Sequence, residues 1–173
     1  MATTNKQKVE VGVNMMEKSI TFMANTLFQM AFKIANARRL SPDYLVQNRE
    51  LLESGFFTWF AEGMLESLHF EVLSPDGKKA LERWDIYFSY SANPDPSVKK
   101  PPIGEIEEVA ARLKALPPGT SYRIVIQTKP GASNVQGWQQ TDFLSFDQKS
   151  EHAFSGWGYG HVDGTLFYRE GTW

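Results

Sequence analysis

A chain of 173 residues is the size of one ordinary domain, and with 42% apolar and 22% charged residues it can bury a core without staples. Its formal net charge of −2, with no basic block longer than a pair, gives no footing for binding nucleic acid through phosphates. It has no cysteine, which excludes a disulfide scaffold, a thiolate metal site and a cysteine nucleophile.

Residues 1–12 are polar and aperiodic and read as a mobile tail. They contain no apolar run of signal-peptide length, and no later stretch is long enough to span a bilayer, so the chain reads as cytoplasmic. Met16, Ile20, Met23, Leu27, Met30 and Ile34 then recur at steps of three and four, the signature of one long amphipathic helix. Pro42 stops it by disfavouring a helical Ser41. A second helix is predicted over 43–62, with Leu45, Leu52, Phe56, Trp59 and Phe60 on its apolar face and Gly63 as its terminator.

The period then changes. In LESLHFEVL, Leu68, Phe70 and Val72 alternate with His69 and Glu71. In RWDIYFSY, Trp84, Ile86, Phe88 and Tyr90 alternate with Asp85, Tyr87 and Ser89. With the turn SPDGKK between them, these predict an antiparallel hairpin. SANPDPSVKKPP, with four prolines, reads as a loop. A third helix follows, carrying Ile103, Ile106, Val109, Leu113 and Leu116 on one face and closed by PPGT. SYRIVIQT reads as a strand with Tyr122, Ile124 and Ile126 on one side and Val125 on the other. This order predicts an α+β domain, with helices packed on a mainly antiparallel sheet.

From Pro130 onward the composition shifts. These 44 residues hold seven of the 13 glycines and nine aromatic residues. They are too aromatic for disorder and too rich in glycine for a rigid core strand. In GWGYGHVDG, extended backbone would put Gly156, Gly158 and Gly160 on one face and Trp157, Tyr159 and His161 on the other. Two readings fit: an aromatic binding surface, or a terminal hairpin that completes the sheet. The stretch matches neither phosphate-loop pattern.

No histidine spacing has the form of a metal site, and no metal or other cofactor is expected. His69 and Glu71 share a strand face, and Glu71 and Asp85 could form a carboxylate pair across the hairpin. Both are read as surface charge on a solvated face, and acid–base chemistry there as the lesser alternative.

The order of elements, with FFTWFAEGMLESLHFEV (56–72), RWDIYFSY (83–90), YRIVIQTKPG (122–131) and VQGW (135–138), resembles the HORMA domain. In particular it is similar to the short bacterial HORMA proteins of CBASS anti-phage operons, which occur with cGAS/DncV-like nucleotidyltransferases. The resemblance spans about residues 13–173. It implies a core over 13–129 with three helices on the sheet, and a C-terminal safety belt over 130–173 that wraps a closure-motif peptide added to a sheet edge. It implies a signalling adaptor rather than an enzyme, one that activates the nucleotidyltransferase (a CD-NTase) when closed. A Pch2-type AAA+ remodeller, pulling on the N-terminal tail, would reopen it. The alternative is a permanently closed scaffold, or a peptide donor, assembled with a second HORMA protein. Neither reading implies contact with nucleic acid or a membrane. Residues implied at the peptide site are Tyr122, Arg123, Ile124, Val125, Ile126 and Gln127 on the edge strand, and Val135, Trp138, Phe154, Trp157 and Tyr159 on the belt. Gly156, Gly158 and Gly160 would supply its flexibility.

Overall fold

The computed structural model describes residues 2–173, with side chains from Met16 onward. The tail expected at 1–12 falls in the stretch whose side chains are outside the described residues.

Helix α1 (Ala2–Ala37) lies against the sheet. Of its apolar stripe, Met23, Leu27, Met30 and Ile34 are fully buried, while Met16 stays exposed. The predicted second helix divides at Asn48 into α2 (Asp43–Gln47) and α3 (Arg49–Glu62). The Asn48 side-chain amide takes the Tyr44 carbonyl at 2.8 Å, a local bond that competes with a continuous helix. Four helices, rather than three, therefore stand among the described residues.

Strands β1 (Leu65–Leu73) and β2 (Ala80–Lys99) form the predicted hairpin. β2 corrects the expected proline loop: it continues through Pro94 and Pro96, and its register against β5 shifts on either side of Asp95. Such irregularities let a strand carry residues that cannot donate a hydrogen bond. Helix α4 (Ile103–Arg112) ends before the predicted Leu116. Continuing it would need amide hydrogens from residues 117 and 118, and both are proline. The Lys114 carbonyl bonds Arg38 instead, at 3.0 Å.

β3 (Ser121–Thr128), β4 (Gln148–Ala153) and β5 (Trp157–Gly171) complete one five-stranded antiparallel sheet in the order β3-β1-β2-β5-β4. Sequential strands usually lie side by side. Here β3 and β4 stand at opposite edges, so residues 129–147 must cross the whole sheet.

The sheet has two different faces. Leu68, Phe70, Val72, Trp84, Ile86, Val162, Leu166 and Tyr168 form the core with α1 and α3. Within that core Glu82 is fully buried; Arg38 binds it through two nitrogens at 2.7 and 3.1 Å, and Tyr168 donates to it at 3.0 Å. The opposite face carries His69, Glu71, Arg83, Asp85, Arg123 and Arg169, and the crossing segment covers it.

Candidate functional site

The site begins with an unpaired edge. β3 is outermost, so alternate residues along it turn backbone N–H and C=O groups away from the sheet, a template for another strand. The chain does not leave this edge open. After Thr128, Lys129 N donates to the Met64 carbonyl at 2.8 Å. The segment then runs back beside α3. Ser133 is held by Glu62 and by Trp59, whose Nε1 donates to the Ser133 carbonyl at 2.8 Å. Trp138 Nε1 donates to the Leu51 carbonyl at 3.1 Å, and its ring meets Trp59 edge-on with centroids 5.1 Å apart. Close to the start of β3, the Arg123 guanidinium takes Thr141 Oγ1 at 3.1 Å and the Asp142 carbonyl at 2.6 Å. The segment is thus fastened at both ends of β3.

Between strand and segment lies a cleft of about 600 Å³. Its walls include Ile124, Val125 and Ile126 of β3, Trp59 of α3, and Val135 and Trp138 of the segment. A β3-edge cleft enclosed by a second segment can hold an extended peptide by strand addition.

Five of the residues expected at a peptide site line this cleft: Ile124, Val125, Ile126, Val135 and Trp138. Arg123 stands beside it but is committed to Glu71, Thr141 and Asp142. Gln127 accepts the Ser67 hydroxyl at 3.0 Å, and Tyr122 stacks on Phe70 with centroids 4.6 Å apart. The remaining three are elsewhere. Phe154 packs on Trp84, Trp157 on Phe88 and Tyr159 on Phe22 of α1, all at the β2–β5 part of the sheet, away from β3. They anchor the terminal hairpin and do not line the cleft. Trp157 and Tyr159 share a side, as the two-faced strand requires, but the alternation does not continue past them. Gly156 precedes β5, and Gly158 and Gly160 have φ of +153° and +65°, which break the alternation. Trp157 and Tyr159 therefore turn toward the same side as Val162 and Leu166, which an unbroken strand would place opposite them. Residues that sequence reasoning missed as part of the site are Trp59, assigned simply to a helix core, and Thr141 and Asp142, which carry no pattern of their own.

β5 is also fastened to α1. The buried Ser19 hydroxyl donates to the Tyr159 carbonyl and accepts from His161 N at 3.2 Å. This satisfies backbone groups where β2 and β5 lose regular register. Ser19→Ala is expected to cost about 1–2 kcal/mol. A lower unfolding midpoint and faster amide exchange at His161 would show it.

The face beneath the crossing segment is the largest departure from expectation. His69, Glu71 and Asp85 are 2%, 0% and 0% exposed, not solvated. Asp85 accepts His69 Nδ1 at 2.5 Å and Arg83 Nη2 at 3.1 Å, and Arg169 Nε lies 3.0 Å away as an ion pair without hydrogen-bond geometry. Glu71 pairs with Arg123. Phe143 covers this network, with its ring 4.7 Å from that of His69 and 4.7 Å from the Arg83 guanidinium carbon, while Phe146 stacks on the same guanidinium. Ser67 Oγ, His69 and Asp85 have the order of a hydrolase relay, with Oγ 2.8 Å from His69 Nε2. However, Ser67 is 1% exposed and donates to Gln127, so no substrate carbonyl reaches it in this arrangement. Among the described residues, no three His, Asp or Glu side chains are grouped to hold a metal ion, and no helix is long and apolar enough to cross a membrane.

The family model described as bacterial HORMA domain 2 matches residues 8–161. No curated protein matches the chain. Among solved structures, C. elegans HTP-2 bound to the HIM-3 closure motif superposes with a TM-score of 0.75 at 13% identity, covering 90% of this chain and 91% of that one. A chain of the mitotic checkpoint complex gives 0.75 at 11% identity, covering 89% and 99%. A chain of the E. coli MS115-1 HORMA:CdnC:Trip13 complex gives 0.57 at 9% identity, covering 90% and 91%. The fold is that of these HORMA structures, an α+β domain with helices on an antiparallel sheet, and the chain belongs to the bacterial HORMA domain 2 family.

Proposed function

We propose that this protein is a peptide-sensing switch whose C-terminal belt, residues 130–173, closes over an extended closure-motif peptide paired with β3. One observation carries the reading: the free edge of β3 faces a cleft of about 600 Å³ that the belt encloses from both ends of the strand. The belt's terminal hairpin sits against β2, beyond the strands that separate it from β3, as it would after closing. Likeness to HTP-2 bound to a closure motif supports this reading. Likeness to a chain of a HORMA assembly with CdnC and Trip13 supports a longer one. In it the closed form binds and activates a cGAS/DncV-like nucleotidyltransferase in a CBASS anti-phage pathway in the cytoplasm, and a Pch2-type AAA+ ATPase reopens it. The chain itself acts as an adaptor without catalysis.

The test is selection from a random peptide display library on the purified protein, followed by limited proteolysis of residues 129–147 with each selected peptide. Selected peptides should slow cleavage of that segment, and the loaded protein should raise product formation by the nucleotidyltransferase. A belt equally resistant with and without peptide, from a protein that selects none, would favour the permanently closed scaffold.

A further inference from the structure

Resting on that reading, we infer the chemistry of the peptide: apolar side chains at alternate positions facing the helices, and a basic side chain on the other side, beside the start of β3.

A strand added to β3 sends alternate side chains to opposite faces. On the helix side they meet Ile124, Ile126, Val135, Trp59 and Trp138. Both indole N–H groups there are already spent on the Ser133 and Leu51 carbonyls, so the rings offer only carbon. A polar group buried against these two rings finds no hydrogen bond in them, at the cost of its desolvation, while the uncharged Asn134, Gln139 and Gln140 also line the cleft.

The other side differs. Of the residues lining the cleft, Asp142 alone is ionisable. Its backbone carbonyl is held by Arg123, while its exposed carboxylate has no hydrogen-bond or ion-pair partner among the described residues. The nearby cation, Arg123, is divided among Glu71, Thr141 and that carbonyl, and does not face a ligand carboxylate free. The belt from Ala132 to Asp142 contains no Lys or Arg. The uncommitted charge in the cleft is therefore negative, and it sits at the Arg123 end. Charge of this kind sets register and discriminates between ligands more than it adds affinity.

The experiment compares peptides selected from a random display library by the wild-type protein and by Asp142→Lys and Asp142→Asn. Asp142 is exposed and its side chain bonds nothing, so these changes spare the fold. Wild-type selection should give alternating apolar positions with Lys or Arg at one fixed end. Asp142→Asn should erase that preference, and Asp142→Lys should turn it toward Asp or Glu. Synthetic peptides differing only in Lys against Glu there should differ roughly two- to fivefold in affinity, in the direction that follows residue 142. If peptides are selected and the belt is protected, but the basic position is missing or the same in all three proteins, the inference fails and the switch stands. If the wild type selects no peptide, the switch and the inference fail together.

Discussion

Replacing Gly55 with alanine is expected to loosen the belt while making its own helix more favourable. In isolation, Gly→Ala within α3 adds about 1 kcal/mol of helix propensity. However, a Cβ on residue 55 would stand 2.6 Å from Trp138 Nε1 and 2.7 Å from Trp59 Cζ3, closer than any real contact. The ring that can yield is Trp138, because it is carried by a segment without regular structure. Leaving its seat, it loses the edge-on contact with Trp59, the packing on Phe56 and the bond to the Leu51 carbonyl. For a partly buried tryptophan this is worth about 2–3 kcal/mol. Peptide should therefore dissociate roughly 30- to 150-fold faster, and residues 129–147 should become easier to cleave. Trp138→Ala should do the same without the helix gain. A Gly55→Ala protein with a belt as protected as wild type would show that the aromatic seat does not hold it.

Asp85→Asn should be the most destabilising single change on the face beneath the belt. The carboxylate is fully buried and is approached by His69, Arg83 and Arg169. A neutral amide leaves these donors around a group that cannot balance them, a loss of about 3–5 kcal/mol. The stability should also depend on pH with a definite sign. Burial pushes the Asp85 carboxyl up, but hydrogen bonds from His69 and Arg83, with their charge, outweigh it and hold the pKa below its ordinary 3.8. A depressed folded value means the contribution is complete above about pH 4 and is lost as pH falls through the folded pKa. Urea midpoints measured from neutral pH downward should show this acid limb weakened in Asp85→Asn. Equal midpoints for the two proteins at pH 7 would contradict the account.

Much of this architecture is legible in the residues. Met23, Leu27, Met30 and Ile34 mark α1, and the alternation of Trp84, Ile86 and Phe88 with Asp85 and Tyr87 marks β2 and its two faces. What periodicity cannot show is whether the polar face of a strand meets water. His69, Glu71 and Asp85 read as solvated because nothing in their own strands announces that Phe143, 58 or more residues downstream, will lie on them. Their burial depends on Phe143 and Phe146, which sit where no helical or alternating pattern exists. The same limit explains Phe154, Trp157 and Tyr159. Their aromatic character marked them as anchors, but the edge they anchor depends on which strand β5 joins. Positive φ at Gly158 and Gly160 then shifted the alternation, so that Trp157 and Tyr159 face the same side as Val162 and Leu166. Trp59 was hidden in the opposite way: its position fits a helix core, and only the return of Trp138 makes it the wall of a cleft.

Amide hydrogen exchange along β3, with and without a peptide selected from the display library, tests the central claim most directly. Strand addition predicts slowing at alternate residues of Ser121–Thr128, together with residues 129–147, and little change in β4. Peptide that binds while β3 exchanges as before, with protection confined to the β4 edge or the helices, would contradict the claim that the belt closes over a strand paired with β3.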